Sequence, residues 1–504
     1  MDMYPSRYDV KKLTALQSRL FGHRLKPSQT KYEYLIEFLQ VAIARKENTR
    51  TQKTYTCMFP VDESGMQDVL SYYPISRIGL KRFVFMPKSK LDGKAEVDKQ
   101  AYIECIRVLE NNVKGGNAIS KKNSIIIVQN LLEGFSAVNQ NRSWFDQNLL
   151  PICPEAILPE GMGIKTWRKN LSFQVGEADI DYKFEFNKYT YMCRGGEIYY
   201  LHLVNAINEF PDHANLIEKR LKEMIESFPQ FSYLCSFVQN TWDNYMLIPF
   251  DDREKREPCK TLAAIPISFS PRNKYTIMEL ENFLNSKSHP FEKMEILSNG
   301  IILQLLRMMY VAAATSAESN CWVIDVNCKG YESSEIKKAA VAAFNHNEEI
   351  ICKYLYKGLD ELRSELEIVD DQAAIKKAAD DSYRLFRKLG KTIGVVIPST
   401  GPGMRFSLSE DVIKFLVLAI IPPKMMITLD EFIELLYVHY GMVIGPVQYR
   451  KEMEKGCVKQ TGDLSFFEEN KLAFSQKLKD CGFLRDLSDA TAIVENPYES
   501  EDQV

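Results

Sequence analysis

The chain has 504 residues, 45% hydrophobic and 26% charged, with a formal net charge of −3, which excludes a disordered chain and exceeds what one core usually supports. No apolar run reaches the roughly 18 to 20 residues of a bilayer span, since 296–314 is interrupted by Asn299, Gln304 and Arg307, and the start lacks a basic stretch followed by an apolar one, so a cytoplasmic chain without membrane contact is expected. The 11 cysteines are odd in number and irregularly spaced, and neither Cys-x-x-Cys nor His-x-x-x-His occurs, so reduced thiols, no metal and no cofactor are expected.

In chain order, Leu13, Leu16, Leu20 and Phe21 mark one helical face, and Tyr34, Leu35, Phe38, Leu39 and Ala42 mark another within 27–44, which predicts a helical hairpin. Residues 80–86 read as a strand, and 102–113 and 124–135 as helices. Prolines and glycines at 151–163 break helix, and 182–192 alternates aromatic with polar residues as a half-buried strand does. Arg194-Gly195-Gly196-Glu197 turns the chain into a helix at 198–210. Further helices are predicted at 216–228, 231–245, 291–316, 334–366 and 373–389, with short strands at 322–326 and 393–397. Thr400-Gly401-Pro402-Gly403 marks a domain boundary.

Beyond it, Ser407-x-x-Glu410, Thr428-x-x-Glu431 and Ser465-x-x-Glu468 each have the form of a capping box and precede amphipathic runs at 412–420, 432–440 and 472–478. Residues 482–497 then read as two strands around a short turn. Three helices and a hairpin are the order of a winged helix. The expected fold is therefore mostly α with small β elements and multidomain. It comprises a basic helix-rich part at 1–150, a mixed, mainly helical part at 151–400, a winged-helix-like domain at 401–498 and an acidic tail at 499–504.

Residues 1–125 carry 22 lysines and arginines against 13 acids, whereas 405–504 carry 11 against 17. The first surplus suits a polyanion or is a solvated surface. Lys81, Arg82, Lys88, Lys90, Lys121, Lys122, Lys165, Arg168 and Lys169 lie near Phe83, Phe85 and Trp167 in sequence, the mix of cations and aromatics a nucleic-acid surface uses. The third C-terminal helix adds Lys471 and Lys477, but among acids, so DNA reading and protein docking are both open there.

Other candidates carry a plainer reading beside the sharper one. Gly390-Lys391-Thr392 lacks the earlier glycine and the strand-loop-helix order of a P-loop. Asp179, Asp181 and Lys183 could serve a metal-dependent nuclease or line an exposed strand face. Asp325 is either a buried acid or the cap of the next turn. His23, His202, His213, His289, His346 and His439 stand apart without flanking motifs, and Arg194 to Glu197 form either an anion-binding nest or a turn.

Three stretches, 25–39, 194–203 and 415–423, resemble accessory proteins of bacterial multi-gene antiphage systems, and are most similar to the DptG-type subunit of phosphorothioation-dependent restriction. The resemblance implies a non-catalytic partner of other subunits of the same system, among them an ATPase, acting on foreign DNA. It brings no catalytic residue with it. The expected function is thus a non-enzymatic accessory subunit linking DNA and partner proteins in an antiviral defence complex, with a metal-dependent nuclease or a pure protein-protein adaptor as alternatives.

Overall fold

A computed structural model describes residues 2–22, 29–61, 66–75, 77–88, 96–137, 143–158, 160–161, 190–191, 194–246, 260–314, 321–456, 458–488 and 491–501. They are mostly helical, with short strands. The N-terminal hairpin comprises α1 (Leu16–Phe21) and α2 (Lys31–Ile43), and α2 begins at a full capping box of Thr30 and Glu33. Strands β1 (Met3–Tyr4), β2 (Lys46–Asn48), β3 (Thr54–Tyr55) and β4 (Leu70–Tyr72) flank it. Residues 80–86 are not a strand. Residues 80–85 belong to α3 (Ile78–Phe85), whose residues are all buried, so no alternation of faces operates there, and Met86 opens the 3-10 turn that follows. Helices α4 (Glu96–Asn112) and α5 (Ala118–Glu133) follow.

The expected strand at 182–192 lies largely outside the described residues; within it, β6 (Thr190–Tyr191) pairs with β5 (Glu160–Gly161). Helices α6 (Gly195–Glu209), α7 (Ala214–Ile225) and α8 (Pro229–Tyr245) come next. Strand β7 (Lys260–Thr261) joins β4, and β8 (Ile265–Pro266) joins β1. A helix not anticipated from the sequence, α9 (Asn273–Asn285), precedes α10 (Pro290–Ala313).

Helix α10 is the axis of the main core. Its length and hydropathy would suffice to cross a membrane, but its apolar window is 94% buried inside the fold, against α2, α6 and three of the four helices that follow, all but the second. The four are α11 (Ser334–Leu362), α12 (Asp371–Asp380), α13 (Tyr383–Thr392) and α14 (Glu410–Ile420). The expected single helix at 373–389 is two, because the chain turns at Asp381 and Ser382, both buried, where Asp381 accepts a hydrogen bond from Gln17 Nε2 at 2.8 Å.

The Thr400 to Gly403 segment is a hairpin tip rather than a boundary between cores. It connects β10 (Val396–Ile397) to β11 (Arg405–Phe406), and Phe406 bridges Ile324 beside β9 (Trp322–Val323). The largest apolar cluster runs from Tyr4 to Val494, across both expected boundaries. A second cluster gathers α3, α4, α5 and α8 around Trp144, Phe145 and Trp242, so the expected 1–150 unit divides between two cores.

The C-terminal part follows α14 with β12 (Met426–Thr428), α15 (Leu429–Tyr440), β13 (Met442–Val443), α16 (Pro446–Glu454), α17 (Ser465–Asp480), β14 (Leu484–Ser488) and β15 (Thr491–Glu495). The sheet order is β12-β15-β14, antiparallel, with Ile427 opposite Val494 and Arg485 opposite Ile493. Of the three expected capping boxes, Thr428 with Glu431 forms one. The cap of α14 is Ser409, not Ser407, and Ser465 is already the first residue of its helix. Helix α16 was not anticipated. The acidic tail is docked up to Glu501, whose carboxylate takes Lys293 Nζ at 2.5 Å and whose amide donates to Asn285.

Candidate functional site

Three of the expected basic residues, Lys81, Arg82 and Lys477, are used inside the fold. Lys81 and Arg82 are fully buried on α3, with the Arg82 guanidinium over Trp144 and Trp242 at 5.5 and 5.9 Å. Phe83 and Phe85 are buried too, so the expected platform of cations and aromatics is core at this place. Lys88 pairs with Glu133, and Lys471 with Asp430. Lys477 donates to the carbonyls of Leu408 at 2.5 Å and Val326 at 3.3 Å, and burial pushes its ammonium below the usual lysine value. Lys90, Lys165, Arg168 and Lys169 lie outside the described residues, as do Asp179, Asp181, Lys183 and His23. Lys121 and Lys122 stand on α5.

Helix α5 has two apolar faces. Ile125 and Leu132 face the second core, and Gln129 between them donates to the Phe83 carbonyl at 2.5 Å and to the Tyr102 hydroxyl at 3.2 Å. At 100° per residue, Ile119, Ile126, Ile127 and Leu131 fall on the opposite arc, 41 to 71% exposed. Ile103 of α4 is exposed as well. A helix apolar on both sides belongs inside a structure, and one covered face leaves the other for a partner. That second face is legible in the spacing of Ile119, Ile126, Ile127 and Leu131.

Arg194 to Glu197 do present an amide to a carboxyl group, and that group is the protein's own. Gly196 N donates to Glu37 of α2 at 2.8 Å. The two glycines are required because α6 starts against α2: a Cβ on Gly195 would lie 2.1 Å from the Tyr34 ring, and one on Gly196 2.3 Å from the Tyr34 carbonyl. Glu197, also buried, accepts from Ala263 N at 3.1 Å and lies 3.6 Å from Lys260. Burial raises the Glu37 carboxyl to about 8; Lys260 opposes the rise and the Glu197 charge adds to it.

The described histidines have structural partners. His202 bonds Thr276 at 3.0 Å, and burial pushes its ring down to about 3, leaving it neutral. His439 bonds Glu279 at 2.7 Å, His213 pairs with Glu281, His346 approaches Glu349, and His289 accepts from Phe291 N at the start of α10. Asp325 binds Arg405 at 2.5 Å and caps its turn by accepting from Asn327 N at 2.9 Å. Among the described residues no three His, Cys, Asp or Glu side chains gather as metal ligands.

A cavity of about 750 Å³ opens between α11 and the segment joining α16 to α17. Val323, Ala339, Ala343, Val458 and Phe466 form its apolar lining, and Lys338 and Lys459 stand among its polar residues. No protein-family model matches the chain, and neither does any curated protein or solved structure.

Proposed function

We propose that the chain is an accessory subunit that works by docking a partner protein on the outer face of α5. The carrying observation is the exposed row Ile119, Ile126, Ile127 and Leu131 with exposed Lys122 at its edge. Branched apolar side chains give a partner dry contact area, which phosphates do not use, and the neighbouring Lys122 suits an acidic rim. The occupant is therefore an acidic amphipathic surface of another protein. Its setting in a bacterial antiphage complex rests on the resemblance of the three stretches.

The C-terminal part we read as winged-helix-like: helix, strand, helices and hairpin occur in that order, and the β12-β15-β14 sheet supports it. Helix α17 faces inward there, since Asn470 and Lys477 bond the carbonyls of Ile324, Ile444, Val326 and Leu408. This favours protein contact over DNA reading at that end. Any DNA contact falls to the positive surplus of residues 1–125.

A photocrosslinking residue at Asn130, within the apolar arc of α5, tests the reading against the same residue at exposed Tyr356 on α11. The expected result is an adduct with one identifiable protein at Asn130 only. Binding of that purified protein should weaken about tenfold in Ile127→Asp, about 1.4 kcal/mol. No adduct above the Tyr356 control, or binding untouched by Ile127→Asp, overturns it.

A further inference from the structure

The cavity beside α11 is unrelated to the α5 face. Glu335, Lys338, Ala339, Ala342, Ala343 and His346 succeed one another at i, i+3, i+4, i+7, i+8 and i+11, so one face of α11 forms a whole wall. Three alanines there leave the space that larger side chains would fill.

The opposite wall is held in place. Tyr449 OH donates to the Lys459 carbonyl at 3.0 Å, and Gln460 Nε2 donates to the Met453 carbonyl at 2.7 Å. The Tyr449 ring packs on Phe467 at 4.4 Å, and Phe467 on Phe466 at 4.8 Å. The cavity thus exists before anything enters it, and 750 Å³ lies within the range of small-molecule sites, about 300 to 1,000 Å³.

Its chemistry selects the occupant. The floor is apolar, from Val323 to Phe466, and cannot satisfy a ligand polar along its length. The charged lining residues are Lys338 and Lys459 against Glu335, a net positive rim. Lys338 lies 3.8 Å from Glu335, while Lys459 makes no ion pair among the described residues.

We propose that this cavity binds an amphiphilic carboxylate of the fatty-acid type, its chain along the alanine face of α11 and its carboxylate at Lys459 and Lys338. The full chain, titrated calorimetrically with decanoate, is expected to show saturable binding, and decyltrimethylammonium, of equal chain length and opposite charge, to bind more weakly. Ala343→Trp fills the cavity and should abolish decanoate binding. Lys459→Glu, at an exposed residue that leaves the fold intact, should weaken it about threefold or more and carries the test if the tryptophan variant fails to fold. Absence of saturable decanoate binding, equal binding of the cationic amphiphile, or undiminished binding by Lys459→Glu overturns the proposal.

Discussion

Glu37 shows how a single acid is held in this fold. It lies on α2 at 1% exposure, accepting from Gly196 N at 2.8 Å and Gln29 Nε2 at 3.4 Å. Its folded value of about 8 stands above the ordinary 4.5, so between those values the folded state binds more protons than the unfolded one. Stability from this group is therefore present at low pH and lost as pH rises toward 8. Glu37→Gln keeps an oxygen for the Gly196 amide and removes the titration. Its melting temperature relative to the native chain should rise by about a few degrees between pH 5 and pH 8.5, and a flat difference in thermal melts would mean that Glu37 stays ionised. Nothing in the sequence around Glu37 announces this, because its amide partner is 159 residues away. Arg194 to Glu197 read as either an anion nest or a turn, and neither reading says whose carboxyl the Gly196 amide meets.

At the scale of elements, the α2 and α6 contact is set by Gly195 and Gly196. Gly196→Ala would place a methyl 2.3 Å from the Tyr34 carbonyl and 2.5 Å from the Phe38 amide, both backbone groups that cannot swing aside. The helices must separate, and denaturant unfolding should register a loss of about 3 kcal/mol. Gly462→Ala, with open space around it, should change little; equal effects of the two would mean that the close approach is not maintained. Long amphipathic helices such as α8, α10 and α11 were legible because their apolar residues recur at helical spacing over several turns. The short α3 was not, since over eight wholly buried residues Phe83, Val84 and Phe85 favour a strand and no helical spacing of polar and apolar residues opposes it. Capping boxes predicted the starts to within a turn and, at α15, the capping residue Thr428, but at α14 the amide that is capped is that of Val412 and it meets Ser409, two residues beyond the expected Ser407. The cavity beside α11 needed α16, which was not anticipated from the sequence.

At the scale of the whole molecule, the last hundred residues are tied into the rest by buried polar groups as well as by shared core. Burial alone would raise the Glu279 carboxyl, but Arg272, at 3.0 Å, outweighs it together with His439 and Tyr440 and holds the group below the usual carboxylate value. His439 and Tyr440 come from α15, and the Tyr440 hydroxyl reaches Glu279 at 2.5 Å. Strand β13 lies parallel to β9, Asn470 joins Ile324 to Ile444, and Asn496 joins Ser286 to Ile421. Breaking a buried charged pair that crosses residue 404, such as Asp325 with Arg405 at 2.5 Å, costs about 3 to 5 kcal/mol, against a total stability of about 5 to 15 kcal/mol, before the apolar faces of α10 and α9 that α14 covers are counted. A chain ending at residue 404 should therefore fail to reach a native state, and the full chain should melt in one cooperative transition. Calorimetry and size-exclusion chromatography of the two decide it. A monomeric 1–404 fragment with its own cooperative melt would restore an independent C-terminal domain. Failure to fold means that partner and DNA contacts of the two ends must be separated by point substitutions such as Ile127→Asp and Lys122→Glu, not by truncation.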